Sequence, residues 1–211
     1  MTESTASHAA SGSPGLLPCW SCKGPVSERA LFCSVCGAVQ GPGQLDHFAR
    51  LGLPARYDLE VEALERQYFG FQRRLHPDRF ATRSAKEKAL SQQQATALNE
   101  AYEVLKDPMR RAAYLLHRSG AGTAVDGQAT VTDPALLMES MEMRERLAEA
   151  RDSAAVDERL NEAEDAVAAC EAELAQAFAV DDLDRAGQLT TRLKYLSKLA
   201  EEARAKRARL R

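Results

Sequence analysis

"LERQYFGFQRRLHPDRFA", Leu64 to Ala81, decides the fold of this chain. Its apolar residues Leu64, Tyr68, Phe71 and Leu75 stand at i, i+4, i+7 and i+11, the spacing of one buried helical face. A start near Asp58 to Glu60 suits the positive end of the helix dipole. Pro77 lacks an N–H and crowds the preceding turn, so the helix must end at His76 and leave His76, Pro77 and Asp78 at its exposed tip. Arg66, Arg73 and Arg74 then lie on the solvent side, opposite the apolar stripe.

Working outward, Leu45, Phe48 and Leu51 make a short amphipathic piece that Gly52 and Pro54 break. Beyond the "HPDRFATRSA" loop a helix from about Ala85 to Lys106 buries Leu98, Ala101, Tyr102 and Leu105. Asp107 caps the next short helix, with Pro108 as its first residue. Gly120 and Gly122 end it, and residues 119 to 132 read as a loop. A second helical block opens at Asp133, a cap followed by a proline. Val156, Leu160, Ala163, Val167, Cys170, Leu174 and Ala177 alternate steps of four and three, and Leu189, Leu193, Leu196, Ala200 and Ala203 continue the pattern. The class is all-α, with a helical hairpin unit over residues 45–120 and an antiparallel three-helix bundle over 133–211.

Ahead of the hairpin, residues 1–16 are too small and polar to pack and read as a disordered leader. Residues 17–40 carry Cys19, Cys22, Cys33 and Cys36 as C-x2-C-x10-C-x2-C, and "QGPGQ" (40–44) is a linker. Each cysteine pair puts two thiolates on one tight turn, and two such turns supply a tetrahedral sulfur shell. Gly24 and Gly37 permit the positive φ such turns need. The favoured occupant is a structural zinc ion folding a segment too small for its own core. Iron in a rubredoxin-like redox site is second, and disulfides third. Cys170, on a bundle stripe, is a small hydrophobe and not a ligand.

A net charge of −3 excludes the strongly basic field of a non-specific nucleic-acid binder. No apolar run approaches the roughly 20 residues that span a bilayer. No signal or transit segment is visible before Arg29, and the expected compartment is the cytoplasm, with no membrane partner.

For the His-Pro-Asp loop, catalysis requires a nucleophile near the histidine, and the loop supplies only Thr82 and Ser84 with no visible oxyanion hole. No catalytic residue is assigned. A plain helix stop explains Pro77 but not its neighbours. Docking explains all three residues: Pro77 fixes the backbone, and Asp78 can accept two hydrogen bonds from a partner arginine. The three arginines add charge complementary to an acidic partner.

These residues resemble a J domain, the module that stimulates ATP hydrolysis by heat-shock-70-class chaperones. "FARLGLPARYDLE", "LHPDRF", "LNEAYEVLKDPMRRAAYLL" and "LLMESMEMRERL" together resemble the HscB family of iron–sulfur co-chaperones, over about residues 45 to 205. The resemblance implies that His76, Pro77 and Asp78 engage a DnaK- or HscA-type chaperone, assisted by Arg73, Arg74 and Arg66. It further implies that Leu137, Met138, Met141, Glu142, Glu145, Glu149 and Tyr195 bind an IscU-type cluster scaffold. Read without it, residues 136–147 hold more apolar side chains than one stripe can bury, so some are exposed or packed between domains. The alternative reading of the whole chain is a zinc-ribbon regulatory or nucleic-acid-binding module fused to a helical dimerisation domain.

Overall fold

The computed structural model describes residues 15–121 and 134–210. Most of the leader, the Asp133 cap and residues 122–132 of the expected loop lie outside them. The described residues fall into two compact units: the chain up to Leu53 together with Leu64–Tyr102, and Pro54–Ala63 together with the chain from Glu103 onward.

In the first unit, β1 (Leu16–Pro18) and β2 (Pro25–Ser27) pair antiparallel with Leu17 opposite Val26, and Phe32 bridges to Val39. The cysteine module is therefore a small β-ribbon, although the elements that follow it among the described residues are helices. The helix α1 (His47–Leu51) is capped by the Asp46 carboxylate, which accepts from the Ala49 N–H. Gly52 closes it at φ 67°, where a side chain would be strained.

The decisive stretch forms α2 (Val61–Leu75), and α3 (Ala85–Lys106) follows the loop. Leu64, Tyr68 and Leu75 are buried, while Phe71 is only half-buried. Two boundaries differ from expectation. The acids Asp58 and Glu60 precede the first turn, and the helix stops at Leu75, one residue early. His76 already has ψ 134°, the extended backbone that a following proline imposes. On the inner face Tyr68 stacks on Tyr102 at 4.0 Å and donates its hydroxyl to Asn99 Oδ1 at 3.0 Å. Ser84 and Glu87 form a reciprocal capping box that starts α3.

The second unit contains α4 (Pro108–Arg118), α5 (Pro134–Glu149), α6 (Ser153–Ala179) and α7 (Leu183–Arg209). Asp107, Asp152 and Asp182 cap α4, α6 and α7 through side-chain acceptance of a backbone N–H. Leu147, Leu160, Ala163, Leu199, Ala200 and Ala203 form a core against which Met143 packs. The α6 stripe is buried as its spacing predicts, except for half-buried Val167. Arg185–Glu173 near the turn and Arg204–Glu164 beyond it follow the antiparallel course of α6 and α7. Such half-exposed pairs contribute about 0–1 kcal/mol each, so they refine register and leave stability to the core.

Residues 54–63 join this unit through Tyr57, which is 3% exposed. Its ring stacks on Phe178 at 5.5 Å, and the Arg111 guanidinium lies 4.9 Å from its centroid. Arg111 is held in turn by donation to the Leu105 carbonyl at 2.6 Å. We predict that Tyr57→Ala costs about 3 kcal/mol by removing a buried ring, whereas Tyr57→Phe, which keeps both ring contacts, costs much less. Urea denaturation of the two variants checks this.

Candidate functional site

Between α2 and α3, Pro77–Phe80 forms one 3-10 turn with the His76 side chain as its cap, accepting from the Asp78 N–H at 3.4 Å. Buried Leu75 lies just before the tripeptide and buried Phe80 closes the turn, pinning both ends. His76 and Asp78 side chains are 57% and 91% exposed, with His76 Nδ1 3.6 Å from Asp78 Oδ2. Polar groups thus stand in solvent on a backbone that has little freedom left. The Ser84 hydroxyl, one of two conceivable nucleophiles, donates to Glu87 at 2.9 Å within the capping box.

Arg66 and Arg73 are exposed and, seven residues apart, share a helical face leading to the loop. Phe69 stands between them at 46% exposure, an apolar side chain on the basic stripe that sequence reasoning passed over. Arg74 is exposed too, yet its guanidinium lies 4.7 Å over the Phe32 ring of the cysteine module.

The four cysteines converge as their spacing predicts. All four sulfurs lie within 4.8 Å of one another, with Cys19–Cys36 at 3.8 Å and Cys22–Cys33 at 3.7 Å. A tetrahedral ion with sulfur at about 2.3 Å requires sulfur–sulfur separations of about 3.8 Å, so the cluster fits one. Backbone N–H groups of Ser21, Gly24 and Val35 point at Cys19, Cys22 and Cys33 sulfurs, each at 3.4 Å. Burial is the largest influence on the Cys19 thiol and pushes it up, but the N–H groups of Cys22 and Ser21 with the Cys33 and Cys36 thiols bring it down to about 6. At Cys22 the Gly24 N–H acts downward, while the neighbouring thiols and burial carry it up to about 11. Four sulfurs this close do not all ionise without a cation among them.

The two knuckles share one geometry: Lys23 and Gly37 donate to the Cys19 and Cys33 carbonyls, and Cys19 and Cys33 donate to Gly24 and Ala38. The left-handed positions are therefore Lys23 (φ 63°) and Gly37 (φ 74°), which corrects the role expected of Gly24. Gly24 sits in a tight spot, where a Cβ would meet Val35 Cγ2 at 3.1 Å and Cys22 Sγ at 3.3 Å.

On α5, Leu136 and Leu147 face the core, while Leu137, Met138 and Met141 are 40%, 63% and 69% exposed. At about 100° per residue, these three with Glu142, Glu145 and Glu149 occupy the outward arc of the helix. Tyr195 is half-buried and lines a small crevice with Leu136, Glu139, Ser140 and Met143, on the inner side of α5. Cys170 is buried and its thiol, pushed up to about 11 chiefly by burial, donates to the Leu189 carbonyl, the small-hydrophobe role its stripe implied. No described helix is long and apolar enough to cross a membrane.

A helical hairpin presenting an exposed His-Pro-Asp turn defines a J-domain protein, and the DnaJ domain model matches residues 46–114. The HSCB C-terminal oligomerisation domain model matches residues 132–204. The co-chaperone protein HscB homolog of Bordetella petrii is 41% identical over 174 residues, 77% of this chain and 96% of that protein. The human iron–sulfur cluster co-chaperone protein HscB is 33% identical over 96% of this chain and 86% of its own length, leaving too few residues outside to omit the cysteine module. The crystal structure of human HscB superposes with a TM-score of 0.79 at 32% identity, over 89% of this chain and 97% of that one. HscB from Vibrio cholerae superposes at 0.69 and 32% identity, over 79% of this chain and all of that one. The chain belongs to the HscB family of co-chaperones.

Because the module's buried cluster is small, Cys33→Ser is expected to abolish metal binding and unfold the module while the bundle stays intact. Trp20, the one tryptophan of the sequence, donates its indole N–H to the Val39 carbonyl at 2.7 Å and reports this directly. Metal analysis with a red shift of its fluorescence is the measurement.

Proposed function

We propose that the protein is a non-enzymatic adaptor of iron–sulfur cluster assembly in the cytoplasm. Through His76, Pro77 and Asp78 it stimulates the ATPase of a heat-shock-70-class chaperone of DnaK or HscA type, with Arg66, Arg73 and Arg74 engaging an acidic surface. On the outward face of α5 it carries an IscU-type scaffold. The observation that carries the reading is the solvent-facing tripeptide pinned between buried Leu75 and Phe80. A rigid, exposed acid next to a basic stripe suits recognition of a partner surface.

The α5 face supports the second half. Leu137, Met138 and Met141 are apolar and exposed, and methionine adapts its shape to a partner surface. Glu142, Glu145 and Glu149 beside them suit a basic rim, so scaffold binding weakens as salt rises. Tyr195 contributes indirectly, from the crevice on the inner side of α5, by holding the helix in place. The ion held by Cys19, Cys22, Cys33 and Cys36 is zinc, a structural cross-link that neutralises the thiolates and takes no part in electron transfer.

His76→Gln is expected to return the chaperone's ATPase to its basal rate while costing no more than about 1 kcal/mol, the loss of one exposed cap. Steady-state ATPase assays with the scaffold present check it; full stimulation by the variant overturns the docking reading. Met138→Ala combined with Met141→Ala is expected to weaken scaffold binding about tenfold or more without altering scaffold-independent stimulation. Tyr195→Ala is expected to act in the same direction. Calorimetric titration decides, and unchanged affinity removes the α5 face from the interface.

A further inference from the structure

The cysteine module touches both helices that carry the His-Pro-Asp loop, and it does so through residues adjacent to its metal ligands. Phe32 immediately precedes Cys33 and lies under the Arg74 guanidinium at 4.7 Å, so the module grips α2 two residues before His76. Trp20 stands between Cys19 and Cys22, with the Lys86 ammonium of α3 4.4 Å from its ring centroid. Gln94 of α3, only 3% exposed, donates to the Gln40 and Gly41 carbonyls at 3.0 Å each. The Gln40 side chain in turn donates to the Ala38 carbonyl at 2.7 Å and to Cys19 Sγ at 3.5 Å. A continuous path of contacts leads from the ligand sulfurs to each flank of the loop.

We propose that the metal-loaded cysteine module is a staple across α2 and α3, with Phe32 as the positioning residue that holds Arg74 ready for the chaperone. This rests on the chaperone-docking reading of the loop. The module's buried cluster is small, Cys19, Val26, Cys33 and Ala38 with Trp20 and Ala30 partly buried against it, so the ion fixes its shape and hence the place of Phe32 and Trp20. An arginine left free in solvent loses rotamer freedom when it docks; one already stacked has lost part of it beforehand. A guanidinium carries five N–H donors, so one held over a ring keeps donors for a partner carboxylate. Metal loading therefore sets how well the basic flank of the loop engages its partner, at a distance from the thiolates themselves.

The experiment compares wild type, Phe32→Leu, Arg74→Ala and the double variant in the full chain. Phe32→Leu keeps an apolar side chain but removes the π face, and native Trp20 fluorescence verifies that the module remains folded. In the loaded wild type the Arg74 side-chain protons are expected to resonate upfield under the Phe32 ring current, a shift that Phe32→Leu or chelation abolishes. Phe32→Leu is expected to raise the concentration giving half-maximal ATPase stimulation about 2- to 5-fold. The double variant is expected to be no worse than Arg74→Ala, and chelated wild type at least as weak as Phe32→Leu. An unchanged half-maximal concentration for Phe32→Leu, or effects that multiply in the double variant, overturns the proposal. If His76→Gln abolishes stimulation while Phe32→Leu is silent, only the staple fails; if His76→Gln still stimulates, the docking reading beneath it fails.

Discussion

Pro77 cannot donate a backbone hydrogen bond and forbids a helical conformation at the residue before it, and the first unit is organised around that constraint. The apolar stripe of α2 buries Leu75 immediately before the break, and Phe80 buries three residues after it. Between these anchors the chain has room for one tight turn, which His76 caps with its own ring. Had Phe80 been polar, the same tripeptide would be a loose loop. The rigidity of the turn is supplied by hydrophobic burial on either side.

A second constraint acts where burial is scarce. The cysteine module is too small to fold on apolar area, and its two knuckles instead aim N–H donors at sulfur and crowd four thiols within 4.8 Å. That arrangement is the right size for a cation among the four sulfurs. The module is also not isolated from the hairpin: a buried glutamine and two cation–ring contacts tie it to α2 and α3. In the second unit burial is ample, and the long α6 and α7 leave α5 only its inner face to contribute. The outer face is then free to carry methionines and acids that no core requires.

Much of this was legible in the residues. Period and proline placed α2, α3 and α4 within a residue or two, because aspartate caps and Pro108 act locally. Cysteine spacing foretold the sulfur cluster, since a two-residue gap lets both thiols of a pair reach one point and two such pairs make four. The left-handed position at Lys23 was not legible, because it depends on which knuckle residue must turn and not on which is glycine. Nor was Phe69, whose place off the buried stripe leaves it in solvent among arginines.

By itself the sequence determined the helices, the exposed tripeptide, the pairing of the four cysteines and the surplus of apolar residues on α5, all consequences of local stereochemistry and periodicity. Only the tertiary structure decided which α5 residues face outward, since a helix with apolar residues all round shows its core side only when packed. It alone set Tyr57 beneath Arg111 and Phe32 beneath Arg74, contacts between residues more than 40 positions apart. Such pairings arise from how elements meet in space, and no local pattern encodes them.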